Sequence, residues 1–148
     1  MAIEVVVDSS VIVALVTLEK YSEWASKSIQ EYEYFHVLDL SFYEVANAIE
    51  HKVSDEFGAK DAAAAFEQAE KMMKLYAVHN FSEVINNALK KALELKITVY
   101  DAAFLALACK LDLPFLTLDT KLSGKLECTT YKNLIKCPNK APNINEQK

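Results

Sequence analysis

Short apolar segments alternate with longer helical segments along most of this chain, and this alternation constrains the fold more than any other feature. The segment 3–7 is almost continuously apolar and rich in valine, which is typical of a strand buried on both faces of a sheet. Segment 115–118, which follows Pro114, has the same character. Parallel strands joined by helices produce such a pattern, so we predict an α/β fold.

The helical segments are recognised by apolar residues spaced three and four positions apart. The predicted strands cover residues 3–7, 35–38, 115–118 and 129–134, with a further short strand near 76–79. The predicted helices cover residues 10–18, 22–33, 42–54, 59–76, 82–95 and 101–111. Together these elements predict an α/β/α sandwich with a central parallel sheet of about five strands.

Length and composition limit the classes to which the protein can belong. The chain has 148 residues, of which 52% are hydrophobic, and this is enough for one domain with a substantial core, which we assign to residues 1–136. Prolines and polar residues predict a disordered tail over 137–148. No apolar stretch reaches the about 18 residues of a membrane span, and no leader is evident, so we expect a cytoplasmic protein.

Several common types of site are absent from the sequence. The only glycines are Gly58 and Gly124, which excludes a glycine-rich loop for a nucleotide cofactor. The three cysteines do not have the spacing of a zinc site. The histidines, His36, His51 and His79, are far apart in the sequence and form no motif. Chemistry in this chain is therefore expected from acidic residues.

Four acidic residues lie where a strand or loop gives way to a helix. Asp8 and Asp119 end two predicted strands, whereas Glu44 and Asp101 lie in the first turns of predicted helices. Helix capping alone would explain each of them, and both helical acids follow a hydroxyl residue by three positions, as in a capping box. In an open parallel sheet, however, ligands bind outside the carboxyl ends of the strands, and all four acids would face that edge. We therefore predict that they form one site.

A cluster of four carboxylates requires cations, because like charges held together cannot all remain ionised without a counter-charge. Oxygen ligands favour hard ions, so we predict Mg²⁺ or Mn²⁺ as the cofactor. Ions of this kind activate water and stabilise charge on phosphate. The sequence therefore predicts phosphodiester hydrolysis, without distinguishing RNA from DNA.

The motifs around these acids resemble those of the PIN-domain nucleases, and more closely those of the VapC toxin ribonucleases of VapBC toxin–antitoxin pairs. The motifs are Val7-Asp8-Ser9-Ser10, Glu44-Val45-Ala46-Asn47, Tyr100-Asp101-Ala102 and Leu116-Thr117-Leu118-Asp119-Thr120-Lys121-Leu122. Order, spacing and chain length all agree, and the resemblance covers residues 3–136.

This resemblance implies the strand order 3-2-1-4-5 and endonucleolytic cleavage of single-stranded RNA that leaves a 5′-phosphate and a 3′-hydroxyl. It identifies the four acids as catalytic metal ligands, of which Asp8, Asp101 and Asp119 bind directly and Glu44 binds directly or through water. Ser10 and Thr117 are then hydroxyls that support them. Some members carry a further acid shortly after the last aspartate, where this chain has Thr120, Lys121 and Leu122. Whether one or two metal ions bind is therefore open.

The resemblance also implies two protein partners, a cognate antitoxin and a second copy of the chain. The predicted helices 22–33 and 59–76 carry many aromatic and methionine side chains. These side chains either complete the core or form a surface for a partner.

Charge gives a weaker indication of nucleic-acid binding. The net charge is −5, yet residues 110–148 contain seven lysines and only four acids. Lys121 and Lys125 are candidates for contacts with phosphate, and the alternative is that they are ordinary surface lysines. The chain has no arginine, so bidentate phosphate clamps are excluded.

Two alternatives to a toxin nuclease remain at this point. One is an RNA-processing nuclease of the same family without an antitoxin, and the other is a non-catalytic binding module in which the acids only cap helices. An aspartyl-phosphate phosphatase also places an aspartate after its first strand. It needs a second acid two residues later, however, where this chain has Ser10.

Overall fold

The computed structural model describes residues 3–138 and contains a five-stranded sheet between two layers of helices. Strands β1–β5 are Glu4–Val7, Tyr34–Leu38, Ala77–His79, Phe115–Leu116 and Ile135–Lys136. Helices α1–α7 are Ser9–Val16, Ser22–Ile29, Leu40–Glu50, Ala59–Lys74, Ile85–Leu95, Val99–Leu111 and Thr120–Lys125. The strand order is β3-β2-β1-β4-β5, and all four pairings are parallel. The predicted α/β/α sandwich and its order 3-2-1-4-5 are confirmed.

The central strand β1 explains how the two helical layers are held together. Val5, Val6 and Val7 are all fully buried, as the continuous apolar segment predicted. Because successive side chains point to opposite faces of a strand, Val5 and Val7 pack beneath α1–α4, while Val6 packs beneath α5 and α6. The carboxyl end of β1 therefore lies between two packed layers, and Asp8 follows directly.

The last two strands differ from the prediction. Only residues 115 and 116 of the predicted strand 115–118 belong to β4. The N–H of Thr117 still donates to the carbonyl of Lys136 (2.9 Å), but the N–H of Leu118 donates to the Ser10 hydroxyl (3.1 Å), so pairing with the neighbouring strand ends there. The predicted strand 129–134 is wrong: residues 132–134 form a 3₁₀ turn, and β5 follows at residues 135–136. Two-residue strands carry too little sequence pattern to be located. Most of the predicted tail, residues 139–148, lies outside the described residues.

Helix α3 also begins earlier than predicted. It starts at Leu40 and is capped by Asp39, whose side chain accepts the N–H of Leu40 at 2.8 Å. The Ser41 hydroxyl instead accepts the N–H of Leu38 at 3.1 Å. Glu44 therefore lies in the second turn, and the predicted capping box at this helix is wrong. The structure thus gives Glu44 no capping role.

The many aromatic and methionine side chains of α2 and α4 contribute to the core rather than to an exposed surface. Six aromatic and methionine side chains of the predicted segments 22–33 and 59–76, together with Ile29, pack into the layer beneath α1–α4: Trp24, Tyr32, Phe66, Met72, Met73 and Tyr76. Exposed large apolar residues are found elsewhere, notably along α5. None of the helices in residues 3–138 has the length and apolar character that crossing a bilayer requires.

Two of the histidines do form a cluster, contrary to the prediction. Because β2 and β3 pair in parallel, His36 Nδ1 lies 2.9 Å from His79 Nε2. Carboxylates flank the pair, with Glu4 2.7 Å from His36 and Glu83 3.1 Å from His79. Lys110 contacts Glu83 at 3.2 Å. This chain of contacts ties β1, β2, β3 and α6 together across the sheet.

Candidate active site

The pairing of β1 with β4 brings two of the predicted acids to one edge of the sheet. Val7 lies opposite Leu116 in this parallel pair, and the N–H of Asp8 donates to the carbonyl of Leu116 at 2.9 Å. Asp8 and Asp119 both follow the carboxyl ends of these strands. Asp119 caps α7, since its Oδ1 accepts the N–H of Leu122 at 3.0 Å.

Glu44 and Asp101 reach the same edge from helices on opposite faces of the sheet. An open cleft of about 550 Å³ is lined by Asp8, Glu44 and Asp101. Asp119 is not among the lining residues, yet its charge acts on both Asp8 and Asp101. The fold therefore brings all four predicted acids together, with Asp119 at the margin of the cleft.

Asp8 is held by the two hydroxyls that the family resemblance implied. Ser10 Oγ and Thr117 Oγ1 both donate to Asp8 Oδ2, at 2.6 and 2.8 Å. Each hydroxyl also accepts a backbone N–H from the segment after β4, at 3.1 Å: Leu118 donates to Ser10 and Asp119 to Thr117. Each hydroxyl has only one proton. Because the hydroxyl oxygen accepts a backbone N–H, this proton is donated to Asp8 Oδ2. Within residues 3–138, the side-chain hydrogen bonds of Asp8 thus all involve Oδ2 and none involves Oδ1.

Ser9 is a site residue that the sequence analysis missed. Its Oγ donates to Glu44 Oε1 at 2.7 Å, and the residue is only 6% exposed. Consecutive helical positions point about 100° apart, so Ser9 faces Glu44 while Ser10 faces Asp8. The occurrence of two adjacent hydroxyl residues directly after the aspartate was the available signal. Ser9 therefore orients Glu44 as Ser10 orients Asp8.

The acids raise one another's pKa values. Burial raises the pKa of Asp8, as do the charges of Asp101 and Asp119, while the hydrogen bonds from Ser10 and Thr117 lower it. Burial, Asp8 and Asp101 raise the pKa of Glu44 to about 7 despite the Ser9 hydrogen bond. Burial and Asp119 also raise the pKa of Asp101. Burial and the neighbouring carboxylates therefore disfavour the ionised forms of these three acids in the absence of a counter-charge.

The chemistry of this donor set fits a hard divalent cation. All four side chains supply carboxylate oxygens, which Mg²⁺ and Mn²⁺ prefer, and burial together with acidic neighbours raises the pKa values of Asp8, Glu44 and Asp101. Among the described residues, no three His, Cys, Asp or Glu side chains already surround one point so as to hold a metal ion. Because carboxylates repel one another, we expect these side chains to move closer together only when they share a bound cation.

The two predicted phosphate-binding lysines differ in their positions. Lys125 lies near enough to Asp101 for its charge to act on that carboxylate. Lys121 is exposed at the start of α7, and within residues 3–138 no contact connects it with the four acids. Of the two, Lys125 therefore remains the better candidate for a phosphate contact.

Removing the Thr117 hydroxyl is expected to weaken the site without disrupting the fold. Thr117 is fully buried, and valine has nearly the same shape but leaves Asp8 Oδ2 and the N–H of Asp119 without their shared partner. Loss of a group that orients a metal ligand costs about 10–100-fold in metal affinity or activity. Titration of Mn²⁺ into Thr117→Val should show this loss. Thr117→Ser, which keeps the hydroxyl, should restore most of the affinity; equal losses in both variants would contradict the role of the hydroxyl.

Comparison with known proteins agrees with the fold and the motifs. The family model described as the PIN domain matches residues 5–125. Ribonuclease VapC3 of Pyrobaculum aerophilum is 38% identical over 123 residues, which are 82% of this chain and 94% of that protein.

Two solved structures are similar to the chain as well. The crystal structure of PAE2754, also from Pyrobaculum aerophilum, has a TM-score of 0.64 at 30% identity and covers 84% of this chain and 86% of its own. A toxin–antitoxin complex from Klebsiella pneumoniae has a TM-score of 0.67 at 14% identity, covering 91% of this chain and 98% of its own. At 14% identity, the similarity to this complex is evidence for the fold alone. From the domain match and the identity to VapC3, the chain belongs to the PIN-domain family.

Proposed function

We propose that this protein is a divalent-metal-dependent endoribonuclease that hydrolyses phosphodiester bonds of single-stranded RNA. One observation carries the proposal: Asp8, Glu44 and Asp101 line one open cleft, and each has a raised pKa because of burial and its acidic neighbours. If these acids served only to cap helices, acids from three separate elements would not need to line the same cleft.

Each residue has a distinct part in this proposal. Asp8 and Asp101 bind the metal, and Asp119 and Glu44 complete the ligand set. Ser10 and Thr117 hold Oδ2 of Asp8, so that Oδ1 would bind the metal, and Ser9 holds Glu44. Bound Mg²⁺ or Mn²⁺ supplies the positive charge that activates water and stabilises charge on the phosphate.

RNA is the proposed substrate because the 38% identical relative is a ribonuclease. The chain contains no arginine, so phosphate contacts come from lysines and backbone N–H groups, which predicts modest affinity. The open form of the cleft suits a flexible single strand. The cytoplasm, where such RNA is found, is the expected location.

The proposed role is that of a toxin controlled by an antitoxin. The 38% identity to Ribonuclease VapC3 supports this role, because the VapC ribonucleases that the sequence resembles are the toxins of VapBC pairs. The Klebsiella pneumoniae complex is an example of a protein with this fold in a toxin–antitoxin assembly. We expect a neighbouring gene to encode a small DNA-binding protein, and we expect that protein to purify together with this chain. Without such a gene, the role of an RNA-processing nuclease of the same family would be favoured.

Cleavage of a mixed pool of single-stranded RNA tests the proposed activity. The purified chain is incubated with Mg²⁺, with Mn²⁺ and with EDTA, and the product ends are sequenced. We expect cleavage with either ion and none with EDTA, and 5′-phosphate ends on the products. Folded protein, freed of any antitoxin, that does not cut under any condition would instead favour a non-catalytic binding module.

A homodimer is part of the proposal, and an exposed apolar stripe on α5 is the surface we assign to it. Ile85, Leu89 and Leu93 lie four residues apart, so they share one face of the helix, and they are 42%, 54% and 72% exposed. Phe81 and Tyr100 line a groove together with Ile85 and are also more than half exposed, so they extend this stripe at one end. A single helical stripe is suited to pair with its own copy across a two-fold axis.

Placing a charge in this α5 stripe is expected to produce monomers. Leu89→Glu would bury an unpaired carboxylate at the interface, which is strongly unfavourable. Light scattering coupled to size-exclusion chromatography should give twice the chain mass for the wild type and the chain mass for the variant. Leu75→Glu is the matched control, since Leu75 is 86% exposed and lies outside the stripe. A wild type that is monomeric at high concentration would contradict the assignment.

A further inference from the structure

An ion pair lies in the same cleft as the acids but does not belong to their cluster. Lys52 Nζ is 2.7 Å from Glu19 Oε2, and the two side chains are only 32% and 27% exposed. Both residues line the cleft together with Asp8, Glu44 and Asp101. No other lysine within residues 3–138 is among the residues that line it.

The backbones of both partners of this ion pair are held by hydrogen bonds. Glu19 lies in the loop between α1 and α2, where the Ser22 hydroxyl accepts the N–H of Glu19 at 2.8 Å and donates to the carbonyl of Thr17 at 3.0 Å. Lys52 lies just after the end of α3, and its N–H donates to the carbonyl of Ile49 at 3.0 Å. The long and flexible side chain of Lys52 can therefore leave Glu19 without movement of either backbone.

One wall of the cleft connects the acids with Lys52. Glu44, Asn47 and His51 are spaced by three and four residues, so they lie on one face of α3 and its last turn, and all three line the cleft. His51 Nδ1 also lies 2.8 Å from the carbonyl of Asn47, which continues the helical turn towards Lys52. A polynucleotide lying along this wall would pass from the carboxylates to the lysine.

We propose that Lys52 binds a backbone phosphate of the RNA beside the one that is cleaved, and that Glu19 occupies Lys52 until RNA displaces it. This inference rests on the proposed ribonuclease function. An ammonium group acts as a point charge and can exchange one anionic oxygen for another without a strict geometry. Glu19 therefore competes with the substrate, lowers the affinity for RNA and selects against weakly bound strands.

The two members of the pair should have opposite effects on RNA binding. Lys52→Gln removes a charge-assisted contact and is expected to raise Kd and KM about tenfold. It should also reduce the slope of log K against log salt by about 0.7, the value for one phosphate contact of a single strand. Glu19→Gln frees Lys52 and should lower Kd and KM by about threefold to tenfold. The double variant should resemble Lys52→Gln.

A different result is expected if the ion pair has only a structural role. If the pair only fastens the loop to α3, either substitution breaks the same contact and both variants change Kd in the same direction. Glu67 and Lys71 on α4 provide a control pair, since they are 3.4 Å apart and both well exposed outside the cleft. Glu67→Gln and Lys71→Gln should leave Kd and KM unchanged.

The experiment measures binding and cleavage separately. Binding of a labelled single-stranded RNA oligonucleotide is followed by fluorescence anisotropy with Ca²⁺, and cleavage is followed with Mg²⁺ or Mn²⁺. Opposite changes in the two variants support the inference. If the wild type cleaves RNA but both variants change in the same direction, or neither changes, the inference is overturned while the proposed function stands. If the wild type neither binds nor cleaves RNA, the proposed function fails and the inference fails with it.

Discussion

Asp8→Asn is expected to reduce kcat/KM for single-stranded RNA by about 10³-fold or more while the protein remains folded. The substitution removes one carboxylate of the proposed metal site, and the loss of several kcal/mol of charge stabilisation corresponds to a rate effect of this size. The fold should persist because the amide oxygen of asparagine can accept the Ser10 and Thr117 hydroxyls in place of Asp8 Oδ2. Cleavage assays and thermal unfolding of the same preparation measure the two effects.

The stability of Asp8→Asn provides a second test of Asp8 as a metal ligand. Burial raises the pKa of Asp8, so its charge is unfavourable in the metal-free protein, and Asp8→Asn should have an unchanged or higher Tm in EDTA. Asp112→Asn is the matched control. Asp112 is exposed at the other end of α6 from Asp101 and has φ 57°, a conformation that asparagine tolerates well. Full activity of Asp8→Asn, or unfolding of this variant alone, would contradict the assignment of Asp8 as a metal ligand.

The metal-free protein is expected to lose stability as pH rises from 5.5 to 8, and Mg²⁺ or Mn²⁺ should reverse this loss. An acid with a higher pKa in the folded than in the unfolded protein binds more protons when folded, so stability falls as pH rises through this interval. Burial and two acidic neighbours raise the pKa of Glu44 from 4.5 to about 7. For an isolated group the whole shift corresponds to about 3 kcal/mol, of which about 2 kcal/mol is lost between pH 5.5 and 8, and solvent screening at a half-buried site reduces this loss to about 1 kcal/mol.

Metal binding should act most strongly at the higher pH. A ligand that binds only the folded state adds about 2.7 kcal/mol at a concentration of 100 times its Kd, and protons compete with the metal for the same oxygens at lower pH. Thermal unfolding at pH 5.5 and 8, with EDTA and with Mg²⁺ or Mn²⁺, measures both effects. The increase in Tm with metal should be several degrees larger at pH 8.

Two comparisons make this prediction specific to the cluster. Glu44→Gln should reduce both the pH dependence and the response to metal. Glu83 should not contribute, because the hydrogen bond from His79, the N–H of Asn80 and Lys110 lower its pKa to about 2, so it titrates below this pH interval. A Tm that rises with pH in EDTA, or that does not respond to metal at pH 8, would contradict a metal-binding role for the cluster.

Several features of the site follow from local sequence. The apolar segment 3–7 predicts a buried strand, and a strand must deliver the next residue, Asp8, to the edge of its sheet. Thr98 likewise caps α6 and accepts the N–H of Asp101 at 3.0 Å, as its position predicted. These predictions succeed because the signals are local: apolar periodicity and capping depend on residues within one or two turns of each other.

Other features required the three-dimensional arrangement. The periodicity of apolar residues does not specify the strand order, which only the resemblance to the PIN-domain family implied. The hydrogen bond of Ser9 with Glu44, the contact of Thr117 with Asp8 and the Glu19–Lys52 ion pair each join residues from separate elements. No local pattern marks such partners, because a long-range contact depends on how whole elements pack.

The sequence by itself therefore determined the fold class, the position of each of the four acids near the end of a strand or the start of a helix, and the oxygen chemistry of the cluster. Only the tertiary structure decided which oxygen of Asp8 is held, that Glu44 lies in a second turn, that Asp119 stands at the margin, and that Lys52 rather than Lys121 lines the cleft. The physical reason is that residue types and local spacing select secondary structure and ligand chemistry. Distances between side chains depend instead on the packing of α1, α3 and α6 around the paired ends of β1 and β4.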